Sequence, residues 1–150
     1  MTESSIESVL RTDGAFVKQP SGGSMRPTLK SESDQIVVRV PDRPLKKGDV
    51  VLYKTETDFI LHRIIKIRKN AYILRGDSCM TTETVLPENV LGILVGRYRN
   101  GKYKAFNNRT NYAFAGFWKF IFPIRWCYRK ASGAFRRIFR KKGNGNNHIA

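Results

Sequence analysis

Gly48-Asp49-Val50-Val51-Leu52-Tyr53-Lys54 and Phe59-Ile60-Leu61-His62-Arg63-Ile64-Ile65-Lys66-Ile67-Arg68 decide the fold class. Both runs are rich in β-branched and aromatic residues. Lys46-Lys47-Gly48-Asp49 forms a turn before the first, and Lys69-Asn70 forms one after the second. They predict strands over 50–54 and 59–68, the second carrying His62. Further strands are expected over 71–75 and, on the N-terminal side, over 35–40, which ends at the turn Pro41-Asp42-Arg43-Pro44. A short strand over 15–17 leads into a glycine-rich turn. Pro87-Glu88-Asn89-Val90 leads into a strand over 91–99. Asn100-Gly101 is a type I′ hairpin signal into 102–106. Ile6, Val9 and Leu10 sit at helical spacing and predict a short helix over 4–11, ended by Asp13-Gly14. Many short strands with Gly and Pro turns imply a mainly β chain, a mixed sheet or barrel-like domain with a short N-terminal helix.

The chain has 150 residues, one domain's worth, and a formal net charge of +16 that is unevenly placed. Residues 1–90 hold 14 Lys+Arg against 12 Asp+Glu, whereas 91–150 hold 14 Lys+Arg and no acid. The expected organisation is a domain over 1–106, a basic amphipathic helical tail over 107–142 and a disordered end over 143–150. In the tail, Phe114, Phe117, Trp118 and Ile121 share one helical face, and Phe135, Ile138 and Phe139 repeat the pattern among arginines and lysines. Lys119, Pro123 and Arg125 interrupt the first run, so it reads as an interfacial helix, not a membrane span. An anionic membrane surface is the expected partner; packing back on the domain is the alternative, and nucleic acid the least favoured. Two cysteines, Cys79 and Cys127, make no disulfide framework and show no metal spacing, so no cofactor is expected. The first residues lack both a basic region and an apolar run, and a membrane anchor needs roughly 20 apolar residues. The expected location is therefore cytoplasmic, with the basic tail at the inner membrane face.

Chemistry points to Ser21-Gly22-Gly23-Ser24-Met25-Arg26-Pro27-Thr28-Leu29. Gly22 and Gly23 allow a tight turn and close approach of another chain. Pro27 ends any helix starting at Ser24. The turn therefore holds Ser24 rigid and exposed. A serine hydroxyl becomes a useful nucleophile only with a base in reach. His62 is one of two histidines, the other being His148 in the tail. An imidazole works as a base near neutral pH without strong desolvation.

Taken in order, Ser24-Met25-x-Pro27-Thr28-Leu29, Gly48-Asp49-Val50-Val51, His62-Arg63-Ile64-Ile65 and Gly76-Asp77 resemble the type I signal peptidases and their clan, which includes self-cleaving SOS repressors. The resemblance runs from about residue 21 to 99. It is closest to the endoplasmic-reticulum and archaeal branch, because His62 stands where bacterial housekeeping enzymes place lysine. It implies a serine endopeptidase with Ser24 as nucleophile and His62 as general base, acting on a peptide or protein bound as an extended strand with small side chains near the cut. It also implies an acid orienting His62. Glu83 stands six positions after Asp77, where that branch places an aspartate; Asp77 itself is the other candidate, or else holds a turn against the serine loop. The Ser24 N–H is the expected oxyanion donor, with Ser21 or a backbone N–H replacing a hydroxyl where this chain has Gly22. Met25 lines the substrate pocket or belongs to the core. The absent anchor favours maturation of a particular peptide over general signal-peptide removal. Alternatives are a catalytically inactive peptide-binding relative, a self-cleaving regulator, a Cys79 nucleophile, and Lys54 or Lys66 as base.

Overall fold

Strand-forming residues concentrate where the chain makes its sheet. The structure, a computed structural model, describes residues 3–106; the expected tail helix over 107–142 and the end over 143–150 lie outside the described residues. Helix α1 spans Glu3–Asp13 and ends at Gly14, whose φ of 70° lets its N–H return to the Leu10 carbonyl at 3.1 Å. Eight strands follow: β1 Ala15–Lys18, β2 Asp34–Arg39, β3 Val50–Lys54, β4 Phe59–Arg68, β5 Ala71–Arg75, β6 Glu83–Val85, β7 Val90–Arg99 and β8 Lys102–Ala105. A single 3-10 turn, Pro87–Asn89, precedes β7.

The strands form one sheet in the order β1-β2-β7-β3-β4-β5-β6, with β8 paired to β7. Every pairing is antiparallel, so the expected mixed sheet is corrected. Each strand reverses on its neighbour, and no parallel crossover arises. The path has two ends, β1 and β6, so among the described residues hydrogen bonding does not close it into a barrel. Asn100 and Gly101 both have positive φ, 50° and 73°, as a two-residue type I′ hairpin requires.

Strand β3 is buried on both sides. Val50 and Leu52 join a core with Ile6, Leu10, Phe16, Ile36 and Leu94, whereas Val51 and Tyr53 join a second with Ile64, Leu74 and Val85. Helix α1 closes the first core through Ile6 and Leu10; burying each side chain stabilises by about 1.5–3 kcal/mol. Lys54 Nζ ties β3 to the helix through Glu7 Oε1 at 3.0 Å.

Candidate active site

Two turns meet at one end of the sheet. The first is the serine turn, 21–29. It is shaped by Gly22 at φ 72° and by a cis Arg26–Pro27 bond, with Arg26 N–H bonded to Gly23 O at 3.1 Å and Leu29 N–H to Met25 O at 2.9 Å. The second is the loop after β5, 76–79. Ser78 holds the first turn with its N–H on Ser24 O at 2.8 Å and its hydroxyl on Gly23 O and Ser24 O at 2.8 and 3.0 Å. Gly76 makes the contact possible. A Cβ there would stand 2.7 Å from Ser24 O, 2.8 Å from Cys79 Sγ and 2.9 Å from His62 Nε2. The carbonyl of Ser24, the thiol of Cys79 and the outer nitrogen of His62 therefore surround one point.

Both Gly-Asp pairs serve the frame. Asp77 takes a two-pronged bond from Arg63, at 2.8 and 2.7 Å, and the hydroxyl of Thr28 donates to it. Arg63 also donates to Gly48 O at 2.9 Å. The Arg63 and Asp77 side chains are 3 % and 4 % exposed, so this is a buried ion pair, supported by further bonds to Thr28 and Gly48 O. It fastens β4 and the loop after β5 to the serine turn. Asp49 is likewise held by both guanidinium arms of Arg43 and by the Lys46 N–H at 2.7 Å. A third tie comes from β7, where Arg97 donates to Thr28 O.

His62 is the neighbour of Arg63 on β4, and adjacent strand residues point to opposite faces. Its ring is buried beside Tyr53, with centroids 5.9 Å apart. His62 Nδ1 lies 3.1 Å from the Tyr53 hydroxyl, and that hydroxyl donates to Glu83 Oε2. The direct Nδ1 to Oε2 separation is 3.6 Å. Burial lowers the His62 pKa below 6.5, opposed by the negative charges of Glu83 and Asp77. Burial and the Glu83 carboxylate push the Tyr53 phenol far above its usual 10, so it stays protonated.

Ser24, His62 and Cys79 line one cleft of about 380 Å³, with Phe16, Met25 and Leu61 among its apolar walls. Among the described residues, neither the hydroxyl nor the N–H of Ser24 makes a hydrogen bond, so the Ser24–His62 bond is not formed here. Such bonds often tighten only when substrate is bound. Ser21 and Gly22 line the cleft; Gly23 does not, and its carbonyl is taken up by Ser78 and Arg26. Met25 is both wall and core. Lys54 and Lys66 are exposed and neither lines the cleft.

The cleft borders open strand edges. Among the described residues, Phe59–Leu61 pair only with β3, while β5 joins from Arg63 onward. Ile64 N–H donates to Asp49 O on the β3 side at 2.8 Å. By the two-residue repeat, Leu61 turns its own N–H and C=O away from β3. Across the cleft, β1 pairs on one edge only among the described residues.

Sequence reasoning gave no site role to Tyr53 or Ser78, and Thr28, Arg63 and Gly76 entered it only as members of the matching motifs. The signal for Tyr53 was its place on the predicted strand just before the one carrying His62; for Arg63 it was membership of the His62-Arg63-Ile64-Ile65 motif, and for Ser78 only adjacency to Asp77. No helix among the described residues is long and apolar enough to cross a membrane, and they contain no cluster of His, Cys, Asp or Glu suited to a metal ion. No family model matches the chain, and searches of curated proteins and solved structures find no match.

Proposed function

We propose that this chain is a serine endopeptidase similar to the type I signal peptidases, with Ser24 as nucleophile and His62 as general base. The observation that carries the reading is one cleft holding a serine hydroxyl unbonded among the described residues and a buried histidine whose outer nitrogen lies beside the serine's own backbone. The peptide adds as a strand to the open edge of β4, pairing with Leu61 N–H and C=O. Ser24 Oγ attacks the scissile carbonyl carbon while its proton passes to His62 Nε2. The oxyanion takes the free Ser24 N–H; one such donor is typically worth about 2.7–4 kcal/mol. The C–N bond then breaks, and the Nε2 proton goes to the leaving amine. Water, activated by the same nitrogen, releases the acyl group and restores Ser24. The apolar walls favour apolar side chains on the substrate.

The test is covalent labelling of the full chain with a fluorophosphonate, a sulfonyl fluoride and a penem, followed by peptide mapping. Label on Ser24 that is lost in both Ser24→Ala and His62→Ala supports the reading. No label on folded protein with all three probes overturns it. A second reading, a peptide-binding relative without catalysis, draws on the unformed Ser24–His62 bond and would then lead. The run of 14 Lys+Arg without acid over 91–150 supports a membrane partner through charge. Cosedimentation with phosphatidylserine vesicles, absent with phosphatidylcholine alone, is the expected result.

A further inference from the structure

Tyr53 is a buried, ionisable group that the peptidase chemistry above leaves without a task. Its ring is 1 % exposed, in the middle of the second core. A side chain needed only for packing gains nothing from a hydroxyl there, since a buried hydroxyl costs stability unless it is bonded. This hydroxyl has two partners, His62 on β4 and Glu83 on β6.

We propose that Tyr53 is a positioning residue that links Glu83 to His62 and fixes which ring nitrogen carries the proton. The argument is one of counting protons. A protonated phenol has a single hydrogen to give. Glu83 Oε2 accepts it, so the oxygen's lone pair is what faces His62 Nδ1 at 3.1 Å. A lone pair facing a ring nitrogen at that distance requires a hydrogen on the nitrogen. Neutral His62 is therefore protonated at Nδ1 and bare at Nε2, the nitrogen beside Ser24 O and Cys79 Sγ. The carboxylate does not do this directly, because 3.6 Å is beyond the usual 2.7–3.2 Å of an N–H···O bond. The charged and titratable groups near the ring are Tyr53, Glu83, Asp77 and Cys79. Asp77 is committed to Arg63 and Thr28, which leaves Glu83 as the acid acting through Tyr53. When Nε2 takes a proton, the same chain places negative charge behind the imidazolium.

This assignment rests on the peptidase reading for its purpose but not for its test. The chain should be labelled with ¹⁵N-histidine, His148 assigned with His148→Gln, and long-range proton–nitrogen spectra recorded above the His62 titration. The wild type should show the Nδ1–H tautomer. In Glu83→Ala the phenol is free to turn and donate to Nδ1, so His62 should shift to the Nε2–H form. Tyr53→Phe should lose the single tautomer. Labelling of Ser24 should fall on the order of 10²-fold in each, the low end of what a positioned base contributes, and the double variant should lose no more than the worse single. An Nε2–H tautomer in the wild type, or an unchanged tautomer in both variants, overturns the proposal. Should Tyr53→Phe not fold, the Glu83→Ala spectrum decides alone, since Glu83 is 40 % exposed. An Nδ1–H tautomer that responds as described, with no Ser24 labelling by any probe, sustains the relay and removes the peptidase.

Discussion

Replacing Gly76 by alanine should damage stability and the site together. The new methyl would sit 2.7 Å from the Ser24 carbonyl oxygen, 2.8 Å from Cys79 Sγ and 2.9 Å from His62 Nε2, all closer than a real Cβ is found to its neighbours. Something must retreat by several tenths of an ångström. The Ser24 carbonyl is pinned by the N–H and hydroxyl of Ser78, and His62 is pinned by Tyr53. Overpacking of this kind typically costs about 1–3 kcal/mol. Each hydrogen bond lost from the Ser24 carbonyl adds about 1 kcal/mol. With one such bond lost, we therefore expect Gly76→Ala to destabilise by about 2–4 kcal/mol in urea titrations followed by far-UV circular dichroism. A misplacement of 1 Å can cost about 10²-fold in rate, so a shift of roughly half that should slow Ser24 labelling at least about tenfold. Gly23→Ala is the stability control. A Cβ there meets only the Arg26 side chain, at 3.7 Å, and the change should be neutral or stabilise slightly. A Gly76→Ala protein with unchanged stability and labelling would refute the claim that the loop after β5 presses on the serine turn.

The two candidate acids should separate by assay. Asp77→Ala strips a buried guanidinium of its partner and should cost about 3–5 kcal/mol in urea titration, whereas Glu83→Ala should cost under about 1 kcal/mol, being half in water. Glu83→Ala should slow labelling without a comparable loss of stability, whereas Asp77→Ala should lose stability first. With His62 as base, the labelling rate should rise with pH as Nε2 loses its proton and then level. Because burial lowers its pKa, the midpoint should fall below 6.5; a midpoint well above 8 in a pH–rate series would point to a lysine. Asp34 on β2 is buried, which raises its pKa, but its bonds to Arg99 and the Lys30 N–H, with the charge of Arg97, leave the net pKa below 3.8. Its stabilisation is thus complete above 3.8 and lost as pH falls through the lower folded value. The stability gap between wild type and Asp34→Ala should narrow in acid urea titrations.

Local signals carried far in this chain. Strands 50–54, 59–68 and 71–75 were legible because they are rich in β-branched and aromatic residues that suit a pleated surface and because Gly48, Asn70 and Gly76 mark their ends. Asn100-Gly101 announced its hairpin through the need for positive φ at both positions. Strand β6, Glu83–Val85, was not foreseen: three residues pairing with β5 leave no periodic trace. Nor was the place of β7 between β2 and β3, since such register depends on partners about 40 to 60 residues away. At the site, Ser24 and His62 could be named from residue type and order, and the structure puts them on one cleft. The division of labour between acids could not. It depends on which face of β4 each side chain leaves and on which carboxylate Arg63 reaches, and neither is written in spacing.

The polar ties of the serine turn come from later in the chain, while its Met25 and Leu29 join the core that Ile6, Leu10 and Phe16 have already entered. Its fasteners are Ser78 and the Arg63–Asp77–Thr28 bonds, with Arg97 from the seventh strand. The consequence is one of timing. A ribosome releases Ser24 long before Arg97, so a half-made chain holds a serine and a histidine without the geometry that joins them. On the proposed peptidase reading, the serine hydroxyl would stay idle until the seventh strand is in place, and its reactivity would report that the sheet is complete.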